Sequence, residues 1–205
     1  MPKMLLYGLS IMLIIIQGCS LNEVHNNEAP NSSKTSLLND FDGIQWGDSL
    51  NDVCAVLSDN IEYEIIEPGE NEIFTSIYLV NDNDFNGLNV EKILHFRTID
   101  EDNPILVDIS YAFESFDDIY SLLKQELGEP NNIDNDNAIR ANWTLLKVSD
   151  VFSANEIEAV YKLLDFDTAE ALSNEIAESY TLHNVNGQGY LVDDGSVIAS
   201  INTQK

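Results

Sequence analysis

Oxygen-bearing side chains recur at alternate positions in Asp82-Asn83-Asp84-Phe85-Asn86-Gly87. That matches D-x-[DN]-x-[DN]-G, the opening of a calcium loop, where carboxylates and an amide offer oxygens to a hard cation and the glycine permits the tight turn. The match stops there. Position 12 of such a loop is Ile93 rather than glutamate, and β-rich runs flank the segment instead of helices. A turn rich in Asn, Asp and Gly accounts for the same residues. Asp82, Asp84 and Asn86 are therefore candidate ligands of a weak Ca²⁺ site only. Asp134–Asp136 and Asp165–Asp167 are further acidic loops with less specific spacing.

The other reactive residue types are scattered. His25, His95 and His183 fall in no HxxxH, HExxH or Cys/His ligand spacing. No serine has the GxSxG setting of a nucleophile elbow. GQGY at Gly187 lacks the strand-then-helix context of a phosphate loop. With 36 acidic residues, paired carboxylates arise by chance and do not identify an acid–base site. Cys54 lies within an apolar helical stripe with no neighbouring base or cation in sequence, which is the setting of a buried small hydrophobe rather than a reactive thiol. Trp46 and Trp143 read as core residues. No cofactor, metal centre or catalytic constellation is expected. A hydrolase here would have to assemble its residues in three dimensions, and a buried His–carboxylate pair would be its first sign.

The N-terminus carries a more specific pattern. Lys3 precedes an apolar run from Met4 to Ile16 of 13 residues, followed by Gly18 and Cys19. A spanning helix needs about 20 apolar residues, so the run has the length of a signal-peptide core instead. Ile16-Gln17-Gly18-Cys19 resembles the lipobox of bacterial lipoproteins, with Gln17 departing from the usual small or aliphatic residue. That resemblance implies that the Cys19 sulfur takes a diacylglycerol, that residues 1–18 are cut off, and that the new amino group is acylated. Several acyl chains make a stable anchor, at about 0.8 kcal/mol per buried CH₂. Ser20 after the cysteine resembles the sorting preference for the outer membrane, which implies a cell-envelope protein facing the periplasm. Residues 19–40, rich in Asn, Ser and Glu, read as a tether with an r.m.s. reach of about 25 Å.

Composition narrows the partners. Only nine residues are Lys or Arg, no two of them adjacent, and the formal net charge is −27. Nucleic acid is excluded on this ground, because phosphate binding needs clustered Lys/Arg to release counterions. The same charge argues against the domain lying on anionic headgroups and has three readings: it keeps the domain soluble, it reflects a salty environment, or it attracts cations or a basic partner. With Cys19 lipidated, Cys54 has no cysteine to pair with.

The remaining residues, 41–205, are expected to form one acidic α+β domain. Leu50, Val53, Cys54 and Leu57 make the stripe of a helix with Ser49 and Asp52 as its capping pair. Strands follow at 61–65, 73–80, 90–97 and 105–113, the last with Ile105, Val107, Ile109, Tyr111 and Phe113 on one face. Ser115 and Asp118 open a helix with Phe116, Ile119, Leu122, Leu123 and Leu127 inward, stopped by Gly128 and Pro130. Strands are expected at 141–148 and 156–164. A third helix from Asp167 carries Ala169, Leu172, Ile176 and Tyr180. A hairpin turns at Asp194-Gly195. The fold class is α+β: an antiparallel meander sheet with about three helices packed on it and a C-terminal hairpin. The two halves look loosely parallel, each a helix and then a meander, without a repeat in residue identity. GIQWGDSLNDV and the LGEP helix exit resemble a pattern in small periplasmic α+β lipoproteins of the SmpA/OmlA type, which bears on fold rather than activity.

These readings converge on a membrane-tethered lipoprotein with a non-enzymatic protein-interaction domain. A small-ligand or cation-binding module is the alternative, and an inhibitor of a basic exported enzyme is a further one.

Overall fold

Ser49 starts the first helix as its sequence suggests. Its hydroxyl donates to Asp52 Oδ2 at 2.6 Å and accepts from the Asp52 amide at 3.2 Å, which satisfies one of the amides a helix start leaves free. Helix α1 then spans Leu50–Leu57 in the computed structural model, which describes residues 41, 43–57, 61–68, 74–98, 103–134 and 139–204. Val53 and Leu57 are buried, with Leu50 and Cys54 packed beside them. The expected signal peptide, Cys19 and the expected tether all lie outside the described residues.

Five strands follow: β1 (Tyr63–Ile66), β2 (Phe74–Leu79), β3 (Asp84–Phe85), β4 (Leu88–Thr98) and β5 (Pro104–Phe113). Helix α2 (Phe116–Leu127) comes next, then β6 (Asn132–Asp134) and β7 (Arg140–Lys147). Short helices α3 (Val148–Val151), α4 (Ala154–Val160) and α5 (Ala169–Asn174) lead to β8 (Ile176–Val185), β9 (Gln188–Asp194) and α6 (Ser196–Asn202). All pairings are antiparallel, in the order β1-β2-β4-β5-β9-β8-β7-β6, with β3 a spur on β4. A helix followed by a four-strand meander thus occurs twice, and the halves join last strand to last strand, β5 against β9. The expected α+β class and antiparallel meander are what the chain forms.

Period-2 alternation sends one set of side chains inward. Val90, Lys92, Leu94 and Phe96 are all buried on the inner face of β4. Helix α2 covers β9 through Phe116 and Ile119, which lie so close over Gly189 that a Cβ there would overlap Ile119. Trp143 of β7 lies under the same helix, donating from Nε1 to the Gly128 carbonyl at 2.9 Å. Phe85 folds onto the inner face between Tyr111 and Phe113, with ring centroids 5.5 Å from each.

Several expected elements differ. On β5 a bulge opposite His95/Phe96 shifts the register, so Asp108 faces His95 while Leu106, not Val107, faces Phe96. The expected single face therefore holds from Ile109 onward only. Residues 156–164, read as a strand, belong to α4 and its exit. Ser153 and Glu156 form a reciprocal capping box, and Ile157, Val160, Tyr161 and Leu164 fall at helical spacing with the first two buried. The same residues fit both periods, and the cap decides. Ile176 and Tyr180 leave the expected third helix for β8, because α5, capped by Thr168, ends at Asn174. The C-terminal hairpin turns earlier than expected, at Asn186-Gly187 between β8 and β9. Asp194 ends β9, and Gly195 begins α6. Six helices, not three, occur among the described residues.

Candidate interaction surface

The helices that pack on the sheet do so on the inner side, and the strand register places three rows of side chains on the other. Ser76, His95, Asp108, Asp194, Ser179 and Thr144 line up across β2, β4, β5, β9, β8 and β7. Next to them run Tyr78, Ile93, Ser110, Val192, Thr181 and Asn142. The third row is Glu91, Ala112, Tyr190, His183 and Arg140. None of these residues is buried. The centre is small or apolar, with Tyr78, Ile93, Ala112, Val192 and Tyr190 between polar neighbours. At one end, edge strand β1 leaves Ile65 and Ile66 exposed.

His95 sits in this face with both ring nitrogens engaged: Nδ1 is 2.9 Å from Ser76 Oγ and Nε2 is 3.0 Å from Ser110 Oγ. Asp108 Oδ1 lies 3.8 Å from Nε2. The fold thus assembles the His–carboxylate neighbours that a hydrolase would need. Partial burial disfavours the charged form of each group. Burial lowers the His95 pKa below its ordinary value. Burial and then the Asp194 charge push Asp108 up to about 7, so Asp108 is a weak partner for a histidinium at neutral pH. The cluster joins three neighbouring strands side chain to side chain.

Asp108 faces Asp194 directly across β5 and β9, and Asp194 Oδ1 accepts from the Ser196 amide at 2.9 Å. Among the described residues, neither carboxylate has a Lys or Arg partner. Beside the third row lies an open depression of about 140 Å³. Glu91, Ala112, Glu114, Gln188 and Tyr190 are among its lining residues, and none of the lining residues is basic. A second depression of about 130 Å³ adjoins it through Asn89, Phe113 and Glu114 and reaches Asp118 at the start of α2. Each has room for one side chain, well below the roughly 300–1,000 Å³ of small-molecule pockets.

The calcium-loop residues are spoken for in other ways. Asp82 Oδ2 accepts from the buried Lys92 ammonium at 2.9 Å, and Lys92 also stands 5.6 Å from the centre of the Phe41 ring. Asp84 Oδ1 accepts from the Gly87 amide at 3.4 Å. Asn86 and Gly87 both have positive φ, 50° and 82°, as the two central residues of a two-residue type I′ hairpin require. No group of three or more His, Cys, Asp or Glu among the described residues is placed to hold a metal ion.

Inside the sheet lies a pair of acids that sequence reading missed. Glu178 and Asp193 are both out of water on the inner face. Burial first, then Glu178, raises the Asp193 pKa well above its ordinary value. The shift favours the protonated form of Asp193 beside Glu178. Alternation along β9 sends Asp193 to the helix-covered face, but β9 had been read as half of a terminal hairpin.

No helix among the described residues is long and apolar enough to cross a membrane. The chain matches no protein-family model, no curated protein and no solved structure.

Proposed function

We propose that this protein is a lipid-anchored component of the bacterial cell envelope, held at the outer membrane through Cys19, and that its folded part is a non-enzymatic protein-interaction domain. The observation that carries the second half is the sheet face on which no described helix packs. Its three rows combine an apolar and aromatic centre with a polar surround, which is the composition of a protein interface. The apolar run ending at Gly18-Cys19 supports the anchor. A tether of about 20 residues then lets the domain reach a partner some distance from the bilayer.

Metabolic labelling with an alkyne-bearing palmitate tests the anchor. The full chain is expected to take up label and to partition with the membrane, and Cys19→Ser is expected to do neither. Equal labelling of the two chains would remove the anchor from the proposal. Binding by the domain is tested in the experiment that follows.

A further inference from the structure

We infer that the sheet face on which no described helix packs docks a basic polypeptide, one of whose Lys or Arg side chains enters the depression lined by Glu91, Glu114 and Tyr190. This rests on the proposal that the domain is an interaction module, and it names the surface and the chemistry of the partner. The face spans about 30 Å by 17 Å at ordinary strand spacings, roughly two thirds of what one partner gives to a standard interface. The two adjoining depressions extend it toward α2.

Charge decides among occupants. A second copy of this chain carries the same −27 and is repelled. An acidic partner or a nucleic acid meets the same repulsion. A cationic side chain finds two exposed carboxylates, Glu91 and Glu114, and an aromatic ring, Tyr190, 39 % exposed. Carboxylates and the face of a tyrosine both attract a cation, the ring within about 6 Å of its centre. Tyr190 is held in place by its hydroxyl, which donates to Gln188 Oε1 at 3.1 Å. Further along the face, Asp108 and Asp194 stand opposite each other with no Lys or Arg partner among the described residues. A second cation from the partner would meet the exposed Asp194 carboxylate there. Tyr78, Ile93 and Val192 supply the apolar contact between these two positions.

A photo-crosslinking amino acid placed at Tyr190 in the full-length protein, in its source cells, tests the inference, with a second placed at Leu163, which is 63 % exposed in the turn after α4. The expected result is a crosslink from position 190 to a protein that mass spectrometry identifies as basic. Purified, that protein should bind the full chain at least tenfold more weakly when the chain carries Glu91→Lys with Glu114→Lys. It should lose no more than about twofold to Glu158→Lys with Glu170→Lys, exposed acids on α4 and α5 that make the same change in net charge. Equal losses from the two double variants would overturn the docking site, since only net charge would then matter. Crosslinks from position 163 alone would overturn the surface while leaving the interaction module standing. No crosslink from either position would count against the interaction module itself.

Discussion

The indole Nε1 of Trp46 donates to Glu178 Oε1 at 3.3 Å, joining the segment before α1 to the strand β8, 132 residues later. The same segment is tied down elsewhere. Asn202 Nδ2 of α6 donates to the Trp46 carbonyl at 2.9 Å, and the Gly47 amide donates to the Leu106 carbonyl at 3.0 Å. Gly195 packs against the face of the Trp46 ring, so a Cβ at 195 would overlap it. Its backbone is not in the left-handed region, and the cost of Gly195→Ala is therefore steric. Overpacking of this kind costs about 1–3 kcal/mol. Thermal unfolding followed by tryptophan fluorescence should show a melting temperature lowered by several degrees, with the native emission maximum also changed.

Asp108 makes stability depend on pH. Its folded pKa, about 7, lies above its ordinary value of 3.8. Between these values the unfolded chain ionises while the folded one holds its proton, so stability is lost as pH rises from about 4 to about 7. Asp193 acts in the same direction. His95, with its pKa lowered by burial, acts in the opposite direction, losing stability as pH falls below about 6.5. Asp108→Asn removes one acid limb and the charge facing Asp194. One pKa unit is about 1.4 kcal/mol, and Asp108 keeps some contact with water, so the variant should gain about 1–3 kcal/mol over wild type at pH 8 and little at pH 4. Urea unfolding at the two pH values measures this. An equal gain at both would mean that the effect is not titration.

Lys92 is 3 % exposed and its partner Asp82 is 29 % exposed. Removing one member of a buried pair leaves the other charge uncompensated. Asp82→Asn is expected to cost about 1–3 kcal/mol, below the roughly 3–5 kcal/mol of a fully buried pair because Asp82 is partly solvated. Calcium would have to displace the Lys92 ammonium to use this carboxylate. Millimolar Ca²⁺ should therefore leave the melting temperature of the wild type unchanged. A rise with added Ca²⁺ that Asp82→Asn abolishes would restore the cation site.

Much of this fold was legible where local chemistry and periodicity agree. Ser49 with Asp52 and Ser115 with Asp118 marked α1 and α2, and both helices turn the expected stripes inward, with Val53, Leu57, Phe116, Ile119 and Leu123 buried and Leu50, Cys54, Leu122 and Leu127 half-buried. Alternation on β4 puts Lys92 on one face with Val90, Leu94 and Phe96, but its burial and its bond to Asp82 come from the fold. Errors arose where two periods fit one segment. Ile157 to Leu163 alternates like a strand, yet Ile157, Val160 and Tyr161 also keep helical spacing. Two dipeptides competed for the last turn: Asp194-Gly195 has the usual turn composition, but Asn186-Gly187 makes the hairpin. The candidate site was not legible, because it depends on β5 lying beside β9. Glu91 and Glu114 come together on the β4–β5 hairpin, and Tyr190 joins them only through that long-range pairing. The pairs Asp108–Asp194 and Glu178–Asp193 also come from strands distant or diagonal in register, and 36 acids gave no reason to single them out.

The Asn186-Gly187 turn separates backbone strain from packing. Both residues have positive φ, 55° and 91°, and strands β8 and β9 close on them through the pair Val185 and Gln188. The turn also ties down the start of α2, since the Phe116 amide donates to the Gly187 carbonyl at 2.8 Å. A Cβ at 187 would meet nothing within 4 Å. In contrast to position 195, any cost there comes from the left-handed backbone alone. Gly187→Ala should cost about 1 kcal/mol. Gly187→Asn should cost less, because asparagine tolerates that region better, and Gly187→Val should cost more, because it is β-branched. Urea midpoints in the order glycine, asparagine, alanine, valine would support this account. Equal loss for asparagine, alanine and valine would point instead to a contact at position 187.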